Sequence, residues 1–243
     1  MTNRGTEDYL KTIYTLEQRG DRASTSALAA RLQVADASIT DMLKKLSRKG
    51  LVNYRRYRGA ELTAAGRQVA LRIVRRHRLW EMFLVKFLDY SWDAIHAEAE
   101  RLEHVTSEAL ERKLDEALGF PTSDPHGDPI PSADGECPPS NMVALSAAGP
   151  GAVVVVSRVS DADPDVLKYA SSLGIVLRRK IRVKETVPFD GSLRVMVGKK
   201  ERFISGKLAN HIFVEEPDAE PGCCTDTAAH SEPASEPEPG SGS

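Results

Sequence analysis

Residues 24–66 read "STSALAARLQVADASITDMLKKLSRKGLVNYRRYRGAELTAAG", and this stretch decides the N-terminal fold. The segment "TSALAARL" predicts a short helix that Ser24 or Thr25 can cap, and "QVADA" predicts a tight turn. A second helix is predicted over "DASITDMLKKLSRKG", with Asp36 as its N-cap and Gly50 just beyond its end. Two short helices joined by a tight turn are typical of a helix-turn-helix, whose second helix enters the major groove of DNA.

The next segment, "LVNYRRYRGAELT", predicts a wing of two short strands around "YRG". Arginines on a protruding hairpin can contact phosphates or enter a minor groove. On the second helix, Ile39, Leu43 and Leu46 form the stripe that is expected to be buried. The predicted DNA contacts are therefore the outward residues of that helix and the wing arginines: Ser38, Thr40, Asp41, Lys44, Lys45, Arg55, Arg56 and Arg58.

The charges are strongly segregated, although the formal net charge is only −2. Residues 41–80 contain twelve Lys or Arg and two acids, whereas residues 93–116 contain eight acids and three bases. Residues 215–243 contain eight acids and no Lys or Arg, and without them the net charge would be +6. This pattern indicates a basic surface for a polyanion such as DNA, with an acidic module beside it.

The composition is that of a globular protein, with 41% apolar and 28% charged residues. No segment approaches the roughly 18 uninterrupted apolar residues of a membrane span, so no membrane association is expected. The N-terminus lacks the apolar region of a signal peptide, which predicts a cytoplasmic protein. The three cysteines form no Cys-x-x-Cys pair, so neither a disulfide framework nor a zinc ribbon is indicated.

The segment "IHAEAERLEHV", residues 95–105, contains two histidines and three glutamates. On a helix, His96, Glu100, Glu103 and His104 fall within about 100° of the circumference, beside an apolar stripe. Carboxylates and imidazoles at a buried edge must be paired, protonated or bound to a metal. From these residues alone, both a solvated charged face and a ligand set remain possible.

The character of the chain changes after residue 120, where residues 120–141 contain six prolines and predict a linker. Short strands are predicted over residues 152–160, 180–187, 192–198 and 210–216, with a helix over residues 163–175. The predicted fold class is mainly α with small β. The predicted domains are a winged helix-turn-helix (1–66), a helical metal-binding and dimerisation domain with a Pro-rich linker (67–141), an SH3-like small β-barrel (142–216) and a disordered acidic tail (217–243).

With these segments together, the chain resembles the diphtheria-toxin-repressor family of metal-dependent transcriptional regulators, more narrowly its manganese-responsive branch with a C-terminal SH3-like domain. The resemblance extends from about residue 5 to residue 216. The motifs that carry it are the winged helix and "TEDYLKTIYTL", "RRHRLWEMFL", "HAEAERLEHV" and "DPHGDPIP". It implies a non-enzymatic repressor that binds a palindromic double-stranded DNA operator as a homodimer and silences metal-uptake genes.

The resemblance also implies the metal ligands. Asp8 stands where manganese-type members carry an aspartate and iron-type members a methionine, and Glu100 stands where iron-type members carry a cysteine. Glu103 and His104 match the pair that completes the primary site. The second, ancillary site would use the residues His77, Glu81 and His96, with a ligand from the barrel supplied by Asp161 or Asp163.

Lys11 departs from one pattern, because manganese-type members without the third domain often carry a glutamate there that serves their second metal. The donor set of oxygens and imidazole, without sulfur, suits Mn²⁺, and Fe²⁺ is the competitor. Two further alternatives are a di-iron carboxylate enzyme, which would require Glu-x-x-His on two helices, and a winged-helix regulator of a non-metal effector.

An excess of apolar residues on the central helices predicts a dimer interface. Some of the following residues are expected to form it: Val69, Ile73, Trp80, Phe83, Leu84, Phe87, Leu110, Leu114 and Leu118.

Overall fold

The N-terminal domain is a winged helix-turn-helix in the computed structural model, which describes residues 4–92, 94–137, 142–161 and 163–216. Its elements are α1 (Arg4–Gln18), α2 (Thr25–Leu32), α3 (Asp36–Arg48), β1 (Val52–Arg55) and β2 (Gly59–Leu62). Ser24 caps α2 by accepting a hydrogen bond from the Ala27 amide. Ile39, Leu43 and Leu46 are all fully buried, as the spacing predicts.

The predicted capping role of Asp36 is wrong. Ala35 holds the N-cap position of α3 with extended backbone angles, and no side chain caps the helix there. Asp36 is instead the first helical residue, where its carboxylate favourably faces the positive end of the helix dipole.

A single long helix, α4 (Ala64–Leu88), joins the DNA-binding domain to the middle of the molecule. It crosses the predicted boundary at residue 66, so the two domains share one helix. Gly66 lets this helix begin against the segment between α3 and β1, because a Cβ at Gly66 would lie 1.9 Å from the Leu51 carbonyl oxygen. The buried face of α4 carries His77 and Glu81 toward the other helices.

Two shorter helices, α5 (Ile95–Leu102) and α6 (Glu108–Leu118), pack on α4. The helix predicted over residues 95–105 ends earlier than expected, since Glu103 is the C-cap of α5 and His104 lies in the following turn. Thr106 accounts for this end, because its hydroxyl donates to the Leu102 carbonyl at 2.7 Å.

The proline-rich linker follows α6 and is held against both neighbouring domains. Asp124 Oδ1 accepts from the backbone amides of His126 and Asp128 at 2.8 and 2.9 Å, which makes a tight turn. Gly127 has φ +90°, and a Cβ there would lie 1.9 Å from the Ser157 carbonyl oxygen of the C-terminal domain. Only glycine therefore allows this close approach.

The C-terminal domain is built on a six-stranded antiparallel sheet of order β3-β8-β4-β5-β6-β7. Its strands are β3 (Val143–Ala144), β4 (Val153–Val159), β5 (Lys180–Thr186), β6 (Leu193–Val197), β7 (Lys200–Ile204) and β8 (Ile212–Glu215). Two helices, α7 (Pro164–Ser172) and α8 (Gly206–Ala209), complete it. The four predicted strands are present, whereas β3 and β7 lack a clear apolar alternation and were not predicted.

No helix in the described part of the chain is long and apolar enough to cross a membrane. The predicted disordered tail, residues 217–243, lies outside the described residues.

Candidate metal centre

Three groups of possible metal ligands adjoin one another in the described part of the chain, since Glu81 belongs to two of them and His77 contacts Glu103. We call them the interdomain cluster (Asp8, Glu103, His104), the central cluster (His77, Glu81, His96) and the hinge cluster (Glu81, Asp124, His126). Within each group, one donor atom per residue lies within 4.8 Å of the others.

The interdomain cluster joins α1 of the DNA-binding domain to the turn after α5. His104 Nε2 lies 2.8 Å from Asp8 Oδ1 and 3.3 Å from Glu103 Oε1, yet it makes no directed hydrogen bond among the described residues. Glu7 accepts from the other ring nitrogen, Nδ1, at 2.8 Å. Nε2 thus lies close to two carboxylate oxygens without a directed hydrogen bond to either, an arrangement that fits a cation shared by these donors.

The pKa of Asp8 is raised, first by burial and then by the neighbouring charges of Glu103 and Glu100, although His104 and Arg4 oppose the shift. Such crowding of carboxylates is unfavourable without a compensating positive charge. The electrostatics therefore agree with the orientation of His104 in favouring a bound cation.

Lys11 stands beside this cluster and neutralises part of it. Its ammonium donates to both carboxylate oxygens of the fully buried Glu103, at 3.0 and 2.7 Å. Burial alone raises the pKa of Glu103, but the hydrogen bond from His77 and the charge of Lys11 outweigh burial and lower this pKa. Glu103 is thus held as an anion between α1 and α4.

The central cluster is already internally paired. His77 Nδ1 lies 2.5 Å from Glu103 Oε2, and His77 Nε2 lies 3.0 Å from both Glu81 Oε1 and His96 Nδ1. Burial and Lys11 lower the pKa of His77, but the carboxylates on either side of the ring dominate and raise it to about 9. A metal ion at His77 would therefore have to displace a strongly held proton.

The hinge cluster is fully buried and contains polar atoms without hydrogen-bond partners among the described residues. His126 Nε2 lies 3.1 Å from the Trp92 carbonyl oxygen, which can only accept, so Nε2 carries the proton. Nδ1 lies 3.8 Å from Glu81 Oε2, and neither atom has a hydrogen-bond partner among the described residues. Burial raises the pKa of Asp124 well above its usual range, and the charges of Asp128 and Glu81 add to this shift. Two unpartnered polar atoms within a buried group of possible ligands fit a cation.

The predicted DNA contacts lie mostly on the exposed surface of the N-terminal domain. Ser38, Asp41, Lys44 and Lys45 are exposed on α3, and Thr40 is half-buried. The wing arginines Arg55, Arg56 and Arg58 are also exposed. Arg22 supports the wing from below, because its guanidinium donates to the carbonyl oxygens of Tyr57 and Arg58, both at 2.5 Å.

Comparison with known proteins identifies all three domains. Residues 1–60 match the N-terminal DNA-binding domain of iron-dependent repressors, residues 63–132 match their metal-binding and dimerisation domain, and residues 143–216 match the FeoA domain. The iron-dependent repressor IdeR of Mycobacterium tuberculosis is 33% identical over 222 residues, which cover 86% of this chain and 96% of that protein. The chain belongs to this repressor family.

Solved structures of family members agree. A manganese-dependent transcriptional repressor in complex with manganese has 41% sequence identity and a TM-score of 0.82, covering 87% of this chain and all of that one. ScaR with bound Zn²⁺ has 32% identity and a TM-score of 0.75, covering 87% of this chain and 99% of that one. The protein is thus a metal-dependent transcriptional repressor and not an enzyme, as the sequence motifs predicted.

The family resemblance predicted more primary ligands than the structure brings together. Glu100 is exposed and lies outside the interdomain cluster, with its Oε2 4.0 Å from His96 Nε2. Asp161 and Asp163, the expected ligands from the barrel, belong to none of the three clusters in the described part of the chain. Asp163 instead caps α7 by accepting from the Asp165 amide at 2.9 Å.

Sequence reasoning did not assign Glu7, Asp124 or His126. Glu7 precedes a predicted ligand on α1, so only the close approach of His104 reveals its orienting role. Asp124 and His126 sit in "DPHGDP", which indicates a turn, and the turn itself aims both residues at Glu81. The local pattern therefore predicted the turn but not the burial of these two polar side chains.

Proposed function

We propose that this repressor responds to Mn²⁺, binds a palindromic operator as a homodimer and switches off metal-uptake genes. The observation that carries the proposal is the interdomain cluster, because Asp8 belongs to the DNA-binding domain and Glu103 and His104 belong to the dimerisation domain. A cation held by these residues supplies the positive charge that their carboxylates lack. A cytoplasmic location follows from the need to reach DNA.

The coupling works through residues on both sides of the domain boundary. Asp8 lies on α1, which packs on α4 and on α2 of the helix-turn-helix. Repulsion between Asp8, Glu100 and Glu103 loosens the contact between domains, and its relief favours one orientation of α3 and the wing. A hundredfold preference of the ion for that orientation corresponds to about 2.7 kcal/mol of bias toward it.

Manganese is favoured by the donor set. The three clusters offer carboxylate oxygens and imidazole nitrogens and no thiolate, which suits hard divalent ions. The structural relative at 41% identity is described as manganese-dependent, whereas the mycobacterial relatives are described as iron-dependent. Fe²⁺ is accordingly the second candidate.

We further propose that a second ion belongs to the hinge cluster. His126 Nδ1 and Glu81 Oε2 face each other without hydrogen bonds, whereas His77 is already balanced by two carboxylates. The expected stoichiometry is two ions per subunit. His126→Ala should then lower it to one and His96→Ala should not; the reverse result would assign the second ion to the central cluster.

The proposed dimer surface is apolar and exposed. Of the predicted interface residues, Ile73, Leu84, Leu114 and Leu118 are buried inside the subunit, where they form its own core. The exposed large apolar side chains of this domain, among the described residues, are Phe87, Leu88, Tyr90, Val105, Leu110 and Phe120. Two recognition helices must stand about 34–36 Å apart to meet successive major grooves, which requires such a pairing of subunits.

Operator binding under defined metals tests the proposal. Fluorescence anisotropy of promoter DNA is measured anaerobically with chelator, Mn²⁺, Fe²⁺ or Zn²⁺, for the wild type, His104→Ala and the control His211→Ala. His211 is half-buried in the C-terminal domain and belongs to none of the clusters. We expect Mn²⁺ to tighten binding at least about tenfold in the wild type and the control but not in His104→Ala. Equal binding with chelator would rule out the metal switch, and a larger response to Fe²⁺ would favour the second candidate.

A further inference from the structure

A basic rim lies at one end of the C-terminal sheet, away from the metal clusters. It consists of Arg178, Arg179, Lys180, Lys199, Lys200 and Arg202. These residues line two adjoining concavities of about 390 and 380 Å³, which share Arg179 and Gly198 in their walls. The rim is unrelated to the proposed function, since the metal ligands and the DNA contacts lie elsewhere.

Four of the six rim side chains carry positive charge that no described carboxylate compensates. Arg178, Arg179, Lys199 and Lys200 make no salt bridge within the described residues. The nearby Glu201 is engaged with Arg194, whose Nη1 lies 3.4 Å from its Oε1. Arg178 also has φ +63°, a conformation that costs a non-glycine residue energy and that is often retained at functional positions.

The last strand, β8, finishes at the same end of the sheet as the basic rim. Glu215 of β8 pairs with Val155 of β4, and Val155 pairs with Lys180 of β5. Adjacent strands are about 4.8 Å apart, so Lys180 lies about 10 Å from Glu215 across the sheet. Continuing the row, Ile181 pairs with Val197, and Val197 pairs with Lys200. The chain after residue 216 therefore begins beside the rim.

The segment that follows has the complementary charge. Residues 217–243 contain six acids and no Lys or Arg: Asp218, Glu220, Asp226, Glu232, Glu236 and Glu238. A chain of about fifteen residues has a root-mean-square span of about 21 Å, enough to cross the roughly 19 Å of four strand spacings from Glu215 to Lys200. Covalent attachment at this distance gives an effective concentration of about millimolar, which favours weak electrostatic contacts.

We propose that the acidic segment 217–243 docks on the basic rim of its own C-terminal domain. Carboxylates of the segment pair with the exposed Lys and Arg side chains of the two concavities. Docking keeps other polyanions, including DNA phosphates, off this surface, so that the α3 and wing surface alone engages nucleic acid. The segment thus acts as an intramolecular competitor for the rim.

Paramagnetic broadening in the full chain tests the contact. A nitroxide is attached to Cys223 in a chain that carries Cys137→Ser and Cys224→Ser, and amide signals are recorded. We expect residues 176–180 and 198–202 to lose more than about half of their intensity at roughly 50 mM salt and to recover at roughly 0.5 M, where the Debye length falls to a few ångströms.

Matched charge reversals locate the docking surface. Lys199→Glu with Lys200→Glu should restore the signals, whereas Lys44→Glu with Lys45→Glu, an equal change of charge on α3, should leave them broadened. If the glutamate pair at the rim disturbs folding, Lys199→Gln with Lys200→Gln should give a smaller recovery in the same direction. Broadening around α3 and the wing, or broadening that the rim variants do not change, would overturn the proposal.

A short DNA duplex tests whether nucleic acid, instead of the acidic segment, occupies the rim. The duplex should shift amides of residues 198–202 in a chain ending at Glu216 and should not shift them in the full chain at low salt. Equal shifts in both chains would assign the rim to nucleic acid and overturn the role of the segment as its occupant.

Discussion

Replacement of Lys11 by methionine removes the ammonium group that pairs with Glu103 and so measures what this pair contributes to stability. Lys11 Nζ lies 2.7 Å from Glu103 Oε2, and the Glu103 side chain is fully buried while that of Lys11 is 15% exposed. At that distance the attraction is about 6 kcal/mol for an effective dielectric constant of about 20, before the cost of desolvation. Breaking a buried ion pair costs about 3–5 kcal/mol. Glu103 keeps its contact with His77 in the variant, so we expect a cost near about 3 kcal/mol.

The predicted effect of Lys11→Met depends on metal. With chelator, the free energy of unfolding should fall by about 3 kcal/mol, which lowers the melting temperature by roughly 6–12 °C. With saturating Mn²⁺, the loss should shrink to under about 1 kcal/mol, because a bound cation compensates the same carboxylate. Thermal and urea unfolding in both conditions measure the difference.

Lys113→Met is the matched control. Lys113 pairs with Glu116 at 2.6 Å, but their side chains are 75% and 52% exposed, so its loss should cost less than about 1 kcal/mol in either condition. An equal loss of stability for Lys11→Met with and without Mn²⁺ would refute the reasoning, since Lys11 would then be an ordinary structural residue with no relation to the metal centre.

Three further predictions concern the linker, pH and DNA. Gly127→Ala should lower the free energy of unfolding by at least about 2 kcal/mol in urea titrations, since its Cβ would meet the Ser157 carbonyl, whereas Gly198→Ala, with positive φ but open space, should cost about 1 kcal/mol. The pKa of His77 is raised to about 9 from 6.5, so the contribution of the protonated ring to the free energy of unfolding is complete below pH 6.5 and is lost as the pH rises through 9. The free energy of unfolding of the metal-free protein should therefore fall by about 3 kcal/mol over that interval, and His77→Gln should flatten its dependence on pH. Arg56→Ala should weaken binding equally on specific and generic DNA and reduce the salt slope by about one; a loss confined to one sequence would instead indicate base readout.

Local patterns in the sequence predicted most of the helices and strands and the chemistry of the donors, but not β3 and β7, which lack a clear apolar alternation. The 3.6-residue spacing of Ile39, Leu43 and Leu46 predicts a buried helix face, because that spacing depends only on helix geometry. The linker composition and the alternating strands likewise predict where the helical part ends. The absence of sulfur among Asp8, Glu103 and His104 restricts the metals that suit them before any fold is known.

Tertiary structure decided which of these donors meet. Asp8 and His104 are 96 positions apart in sequence, and their contact depends on how α1 packs on α4 and where α5 ends. The pairing of Lys11 with Glu103, and the approach of the linker residue His126 to Glu81, depend on the same long-range packing. Periodicity determines the face of an element on which a side chain lies, whereas the partner across an interface is determined by the packing of whole domains. The sequence therefore determined which kinds of donor atom are available to a metal ion. The fold determined which of those donors lie together, because their contacts depend on the packing of whole domains.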